Sequence, residues 1–187
     1  MSDESEFDER DILRAVAELL GSLLLREVTA ADLAELRGDG TNEVLASMGI
    51  ELPPVEIEAE WLEQTAAEFH DLFLRPANGP LVQSLWAQGR YEGDATVRVR
   101  QLAEAAGATF DAGAARGAAV DHLGSVLLLW AATDGNAQEV ADELSSAHLA
   151  WALPALRPIQ SSESFYAPLA RAVEALIGEL VPQETDS

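Results

Sequence analysis

The chain contains no cysteine and no lysine. The first absence rules out disulfides, thiolate catalysis and Cys-ligated zinc or iron–sulfur centres, and it suits a reducing cytoplasm. The second removes the lysine that a phosphate-binding loop requires. Neither G-x-x-x-x-G-K-[ST] nor a strand-borne G-x-G-x-x-G occurs, so a nucleotide enzyme of standard type is excluded. G-x-S-x-G is also missing, so no serine sits in a recognisable nucleophile elbow. Histidine is scarce: only His70, His122 and His148 are present. The His70-Asp71 pair has the look of a metal phosphohydrolase H-D, but that arrangement needs a further histidine on an earlier helix, and none precedes position 70. A zinc or two-metal site from Asp121, His122 and His148 would have to be assembled across distant segments, because there is no H-E-x-x-H or comparable short ligand pair. No catalytic residue, metal or cofactor is therefore assigned. The N-terminus has no basic segment leading into an apolar stretch, and no apolar run reaches the length of a membrane span, so the expectation is a soluble cytoplasmic protein.

What the sequence has in excess is acid. Of its 187 residues 33 are Asp or Glu and 11 are arginine, a formal net charge of -22. Such a surface repels phosphate backbones and favours a basic partner, so nucleic acid is not expected as a ligand. Solubility in a salty cytosol would account for the same charge. Hydrophobic residues make up 48%, enough for one sizeable core or two small lobes sharing one.

The hydrophobic spacing is helical nearly throughout, and no segment alternates as a strand would. Ile12, Leu13, Val16, Leu19, Leu20 and Leu23 form the stripe of a first helix with acids in its first turn. Thr29 and Asp32 make a capping box for a short second helix, and Thr41 is placed to cap a third. Pro53-Pro54 precedes a helix over 57–74, and R-P-A-N-G-P closes it. A helix ending at Gly107, a central helix over 118–132 that is apolar almost all round, and an amphipathic segment over 137–149 follow. Pro154 and Pro158 are expected to interrupt the chain before a last helix capped by Ser161 or Ser162. The fold class is all-α, with two closely packed helical lobes in one domain over 1–187. The lobe boundary is placed near 108–117, and frayed acidic tails at 1–7 and 182–187.

Trp61, Phe69 and Phe73 recur at helical spacing and belong to the core. Trp86 lies instead in a short segment after a Gly-Pro loop, where it lines a groove for a partner's apolar side chains or lids the core.

Three landmarks occur in order: F-H-D-L-F followed by R-P and G-P, then S-L-W, then V-D-H-L. With His148-Leu149, Trp151 and Phe165-Tyr166 they make the chain resemble the TorD/DmsD/NarJ family of cytoplasmic chaperones for molybdenum oxidoreductases. The first landmark is near that family's Y-x-x-L-F-x-G-P, the second near its E-S-x-Y/W and the third near its E-P-x-D-H. Phe69, Gln83 and Ala118-Ala119 depart from the pattern and mark a divergent member.

The resemblance implies an all-α fold, monomeric or a domain-swapped dimer. It implies binding of the twin-arginine signal peptide of a molybdopterin oxidoreductase precursor, whose export is held back until its cofactor is in place. Carried over residue by residue, Leu72, Phe73, Trp86, Asp121 and His122 would lie at the peptide cleft. Guanine nucleotides have been associated with the family, but no phosphate-binding motif here supports such a site. Two other readings stay open: an all-α enzyme with carboxylate or metal chemistry in the same cleft, and an acidic adaptor or nucleic-acid mimic. For Asp121 and His122 there are two local readings, a carboxylate and imidazole at the cleft mouth, or a helix cap and a backbone-bonded ring.

Overall fold

The computed structural model describes residues 9–38, 40–74, 80–110 and 118–182. The fold is all-α. Glu9–Leu25 forms α1, with Glu9 and Asp11 in the first turn, where a helix dipole favours acids. Ala30–Leu36 is α2, and its start carries the expected capping box: the Asp32 N–H donates to the Thr29 hydroxyl at 3.3 Å, while the Thr29 N–H donates to the Asp32 carboxylate at 2.7 Å. Thr41–Ser47 is α3; its N-cap is Gly40, at φ 79°, so Thr41 is the first helical residue and does not cap. After Pro53-Pro54 a 3₁₀ turn at Val55–Ile57 leads into α4, Glu58–Phe69, which runs on into a single π turn over His70–Leu74. Gln83–Gln88 is α5, Asp94–Ala105 α6, Leu123–Thr133 α7, Gln138–His148 α8, Ala152–Gln160 α9 and Tyr166–Leu180 α10. Gly107 takes the left-handed conformation after α6, as a C-cap requires.

Three expectations about boundaries are corrected. The central helix begins at Leu123, not near 118, because the backbone just before it pairs with the segment entering α5. Gln83 N donates to Asp121 O at 3.1 Å and Leu123 N to Leu81 O at 2.8 Å, around an isolated antiparallel bridge between Val82 and His122. The prolines do not interrupt α9. Pro154 occupies its first turn, where a missing N–H costs nothing, and Pro158 sits inside, two residues before the end. Ser161 and Ser162 do not start α10. Their hydroxyls donate back to Arg157 O and Ile159 O and so close α9, while the N–H of Phe165 at the head of α10 donates to Glu68 of α4. The segment over 75–79, most of the expected lobe boundary and nearly all of both tails lie outside the described residues.

One continuous apolar cluster, from Ala17 to Leu180, forms the core. Helix α7 runs through it, buried on nearly every side, as its all-round apolar sequence demands. Helix α1 crosses it so closely that a Cβ added at Gly124 would lie 2.6 Å from Gly21 O, so only glycine permits this approach. At the π turn, Phe69 and Phe73 stack into an aromatic cluster with Tyr166, which also packs edge-on against Phe165. Trp61 closes the cluster from α4. Among the described residues no helix is long and apolar enough to cross a membrane.

Candidate functional site

The V-D-H-L and S-L-W segments meet at one junction. Asp121 is 0% exposed. Its Oδ2 accepts from Ser84 N at 2.8 Å and from the Ser84 hydroxyl, and its Oδ1 accepts from Thr96 Oγ1 at 3.0 Å. The two hydroxyls also bond each other at 2.8 Å. One carboxylate thereby ties the N-terminus of α5, the first turn of α6 and the approach to α7. Ser84 N is among the first N–H groups of α5, which have no partner within their own helix, so the anion answers a need that the helix start creates.

His122 caps α7. Its Nδ1 accepts from Gly124 N at 3.1 Å, so the neutral ring carries its proton on Nε2. At 7% exposure the imidazole is held neutral. Burial lowers its pKa to about 4, against the pull of the Asp121 charge. The cleft-mouth placement is therefore not what the structure shows: carboxylate and imidazole both point into the protein. The backbone-bonded reading holds for His122, whereas Asp121 serves α5 in place of its own helix.

A second buried histidine adjoins the junction. The Gln83 side-chain amide donates to Ala147 O at 3.1 Å, so its oxygen accepts from His148 Nδ1 at 2.7 Å. That clasp ties α5 to the end of α8, and His148 Nε2 is buried with no hydrogen-bond partner among the described residues. Burial lowers the His148 pKa. Gln83, Ser84 and Thr96 do not stand out as site residues in the sequence, and His148 does so only as a metal-ligand candidate and a family landmark. For Ser84 the S-L-W motif was a signal; Thr96 carried none.

Of the other expected residues, Trp86 stands 41% exposed on α5, its indole N–H fixed on Pro80 O at 3.1 Å. Phe73 is buried in the aromatic cluster, and Leu72 is half-buried on the π turn. The structure thus joins Trp86, Asp121 and His122 through α5 and places Phe73 in a different contact set. Among the described residues no three potential metal ligands converge.

No curated protein matches the chain. Among solved structures, a crystal structure from Archaeoglobus fulgidus, of a protein described as a redox enzyme maturation protein, matches with a TM-score of 0.57. The match covers 91% of this chain and 94% of that one at 19% identity, and at that identity it supports the fold alone. The nitrate reductase delta subunit family matches residues 38–157, well over half of the chain and including both segments of the junction. The chain therefore belongs to the nitrate reductase delta subunit family, whose members are maturation chaperones for molybdenum redox enzymes and not catalysts.

Proposed function

We propose that the protein is a cytoplasmic chaperone that binds the twin-arginine leader of a molybdopterin oxidoreductase precursor and retains the client until its cofactor is inserted. The observation that carries this reading is the junction itself. S-L-W and V-D-H-L, far apart in sequence, are locked together by the bonds from Ser84 to Asp121, and the exposed Trp86 is presented on the helix so fixed. A rigidly held, exposed aromatic side chain is a suitable anchor for an apolar peptide segment. In this reading Trp86 and Leu72 touch the peptide, Asp121 and His122 fix the helix that carries Trp86, and Phe73 anchors the turn that carries Leu72.

The test is recovery of the tagged protein from its host's extract, at the host's internal salt, with its partners identified by mass spectrometry. The expected capture is a molybdopterin oxidoreductase that still carries its leader, and Trp86→Ala is expected to lower that yield several-fold. Capture of other proteins only, under conditions where such an oxidoreductase is expressed, would overturn the reading.

A further inference from the structure

A leader that carries arginines calls for carboxylates that a guanidinium can reach, and Asp121 is sealed from solvent. A groove of about 410 Å³ between α1 and α2 offers them. Its lining includes the apolar side chains of Leu19 and Leu23 of α1 and Leu36 of α2. The exposed Glu18 of α1 and Glu35 of α2 line it from the two helices.

Among the described residues that line it, Arg26 is the only cation, and it is engaged within the protein. Its guanidinium grips Asp32 through both carboxylate oxygens, one at 3.1 Å, while Asp32 also serves the capping box of α2. Burial works against ionisation of Asp32, but the bonds from Thr29 and the charge of Arg26 hold its pKa below the usual carboxylate value. With Arg26 and Asp32 cancelling, the exposed Glu18 and Glu35 give the groove excess negative charge.

A lining that combines apolar and acidic side chains fits a segment with both guanidinium groups and aliphatic side chains, and the volume is in the roughly 300–1,000 Å³ range of ligand-sized clefts. We infer that the α1–α2 groove seats the arginine-bearing part of the leader, with Glu18 and Glu35 pairing with its guanidinium groups. This rests on the leader reading above. It divides recognition between two places, with charge read on α1 and α2 and apolar side chains read at Trp86.

The experiment is fluorescence anisotropy on the full chain, using a labelled synthetic peptide with two adjacent arginines followed by an apolar run. Glu18→Gln with Glu35→Gln is expected to weaken binding about tenfold at low salt, with the difference shrinking as salt rises. Glu139→Gln with Glu179→Gln makes the same charge change at exposed positions away from the groove and is expected to alter affinity less than about twofold. Ser22→Trp, which fills the groove from an exposed position on α1, tests the site without removing charge; it is expected to weaken binding at both salts. If the wild type binds and the groove variants bind as tightly, the groove assignment falls while the leader reading stands. If the wild type does not bind the peptide at all, both fall.

Discussion

Two carboxylates bracket α7, both 0% exposed, and they are held by opposite means. Asp121, just before the helix, is held by a backbone N–H and two hydroxyls, all neutral. Asp134, the C-cap, is held by arginines: Arg10 Nε donates to Oδ1 at 2.7 Å, and Arg14 Nε lies 3.4 Å from Oδ2. The helix explains the difference. Asp121 lies near the positive ends of α5 and α7, where neutral donors suffice to keep an anion buried. Asp134 lies among the carbonyl oxygens that end α7, where a negative charge is opposed and only cations offset it. The chemistry of a buried charge's holder thus follows from which end of a helix it occupies.

Removing the neutral cradle should give the largest effect. Asp121→Ala leaves Ser84 N and two hydroxyls buried with their shared acceptor gone, and is expected to cost about 3–4 kcal/mol in urea unfolding. Asp121→Asn keeps an acceptor toward Thr96 but turns an amide N–H toward Ser84 N, and should fall between wild type and Ala. An unchanged urea midpoint for Asp121→Ala, with peptide binding lost, would return the carboxylate to the cleft.

His122 gives the same end of α7 a pH dependence. Its folded pKa of about 4 lies below the ordinary 6.5, so the unfolded chain takes up the proton first. Its contribution is fully present above pH 6.5, is lost as pH falls toward 4, and levels off below. The cause is structural as well as dielectric, since a protonated Nδ1 can no longer accept from Gly124 N. The loss amounts to about 3 kcal/mol across that window. His122→Asn supplies another good cap. Its acid limb should be shallower by that amount, with stability at pH 8 nearly unchanged; parallel limbs for the two proteins would refute the assignment.

The first turn of α7 is also limited by sterics, through its contact with α1. Gly124→Ala would press a methyl into Gly21 O, for an expected loss of about 2 kcal/mol. Unlike the contribution of His122, this loss should not vary with pH in chemical unfolding, and it should be the same at low and high salt.

Much of this was legible in the sequence, for reasons that also mark where legibility stops. The stripe of α1, the Thr29–Asp32 box and the Gly107 cap depend on residues within a few positions of one another, and periodicity or cap chemistry reports them directly. The Asp121 cradle depends on Ser84 and Thr96, 37 and 25 residues away, and no local pattern announces it. Ala118, Ala119 and Val120 would by themselves extend α7 toward 118, but pairing of the chain just before it with residues 81–83 overrides them. Locally Asp134 is only the start of the turn sequence Asp134-Gly135-Asn136, because its arginines come from the far end of the chain; the pair Arg10–Asp134 spans 124 positions.

That long-range pair is the smallest and most conditional of the effects. Arg10 is 48% exposed, so water and salt reach one side of the bond while Asp134 remains fully buried. Replacing Arg10 by Met removes one cation and leaves Arg14, which is already placed on the other oxygen. The expected cost is therefore about 1 kcal/mol, well short of the penalty for an unpaired buried charge. It should shrink as salt rises, because the wild type loses the screened attraction that the variant never had. At the other end of α7, Asp121→Ala should cost the same at both salts, because its partners carry no charge. Urea unfolding of Arg10→Met and Asp121→Ala at low and high salt makes the comparison. Equal salt dependence at the two ends would mean that helix polarity does not set how these carboxylates are held.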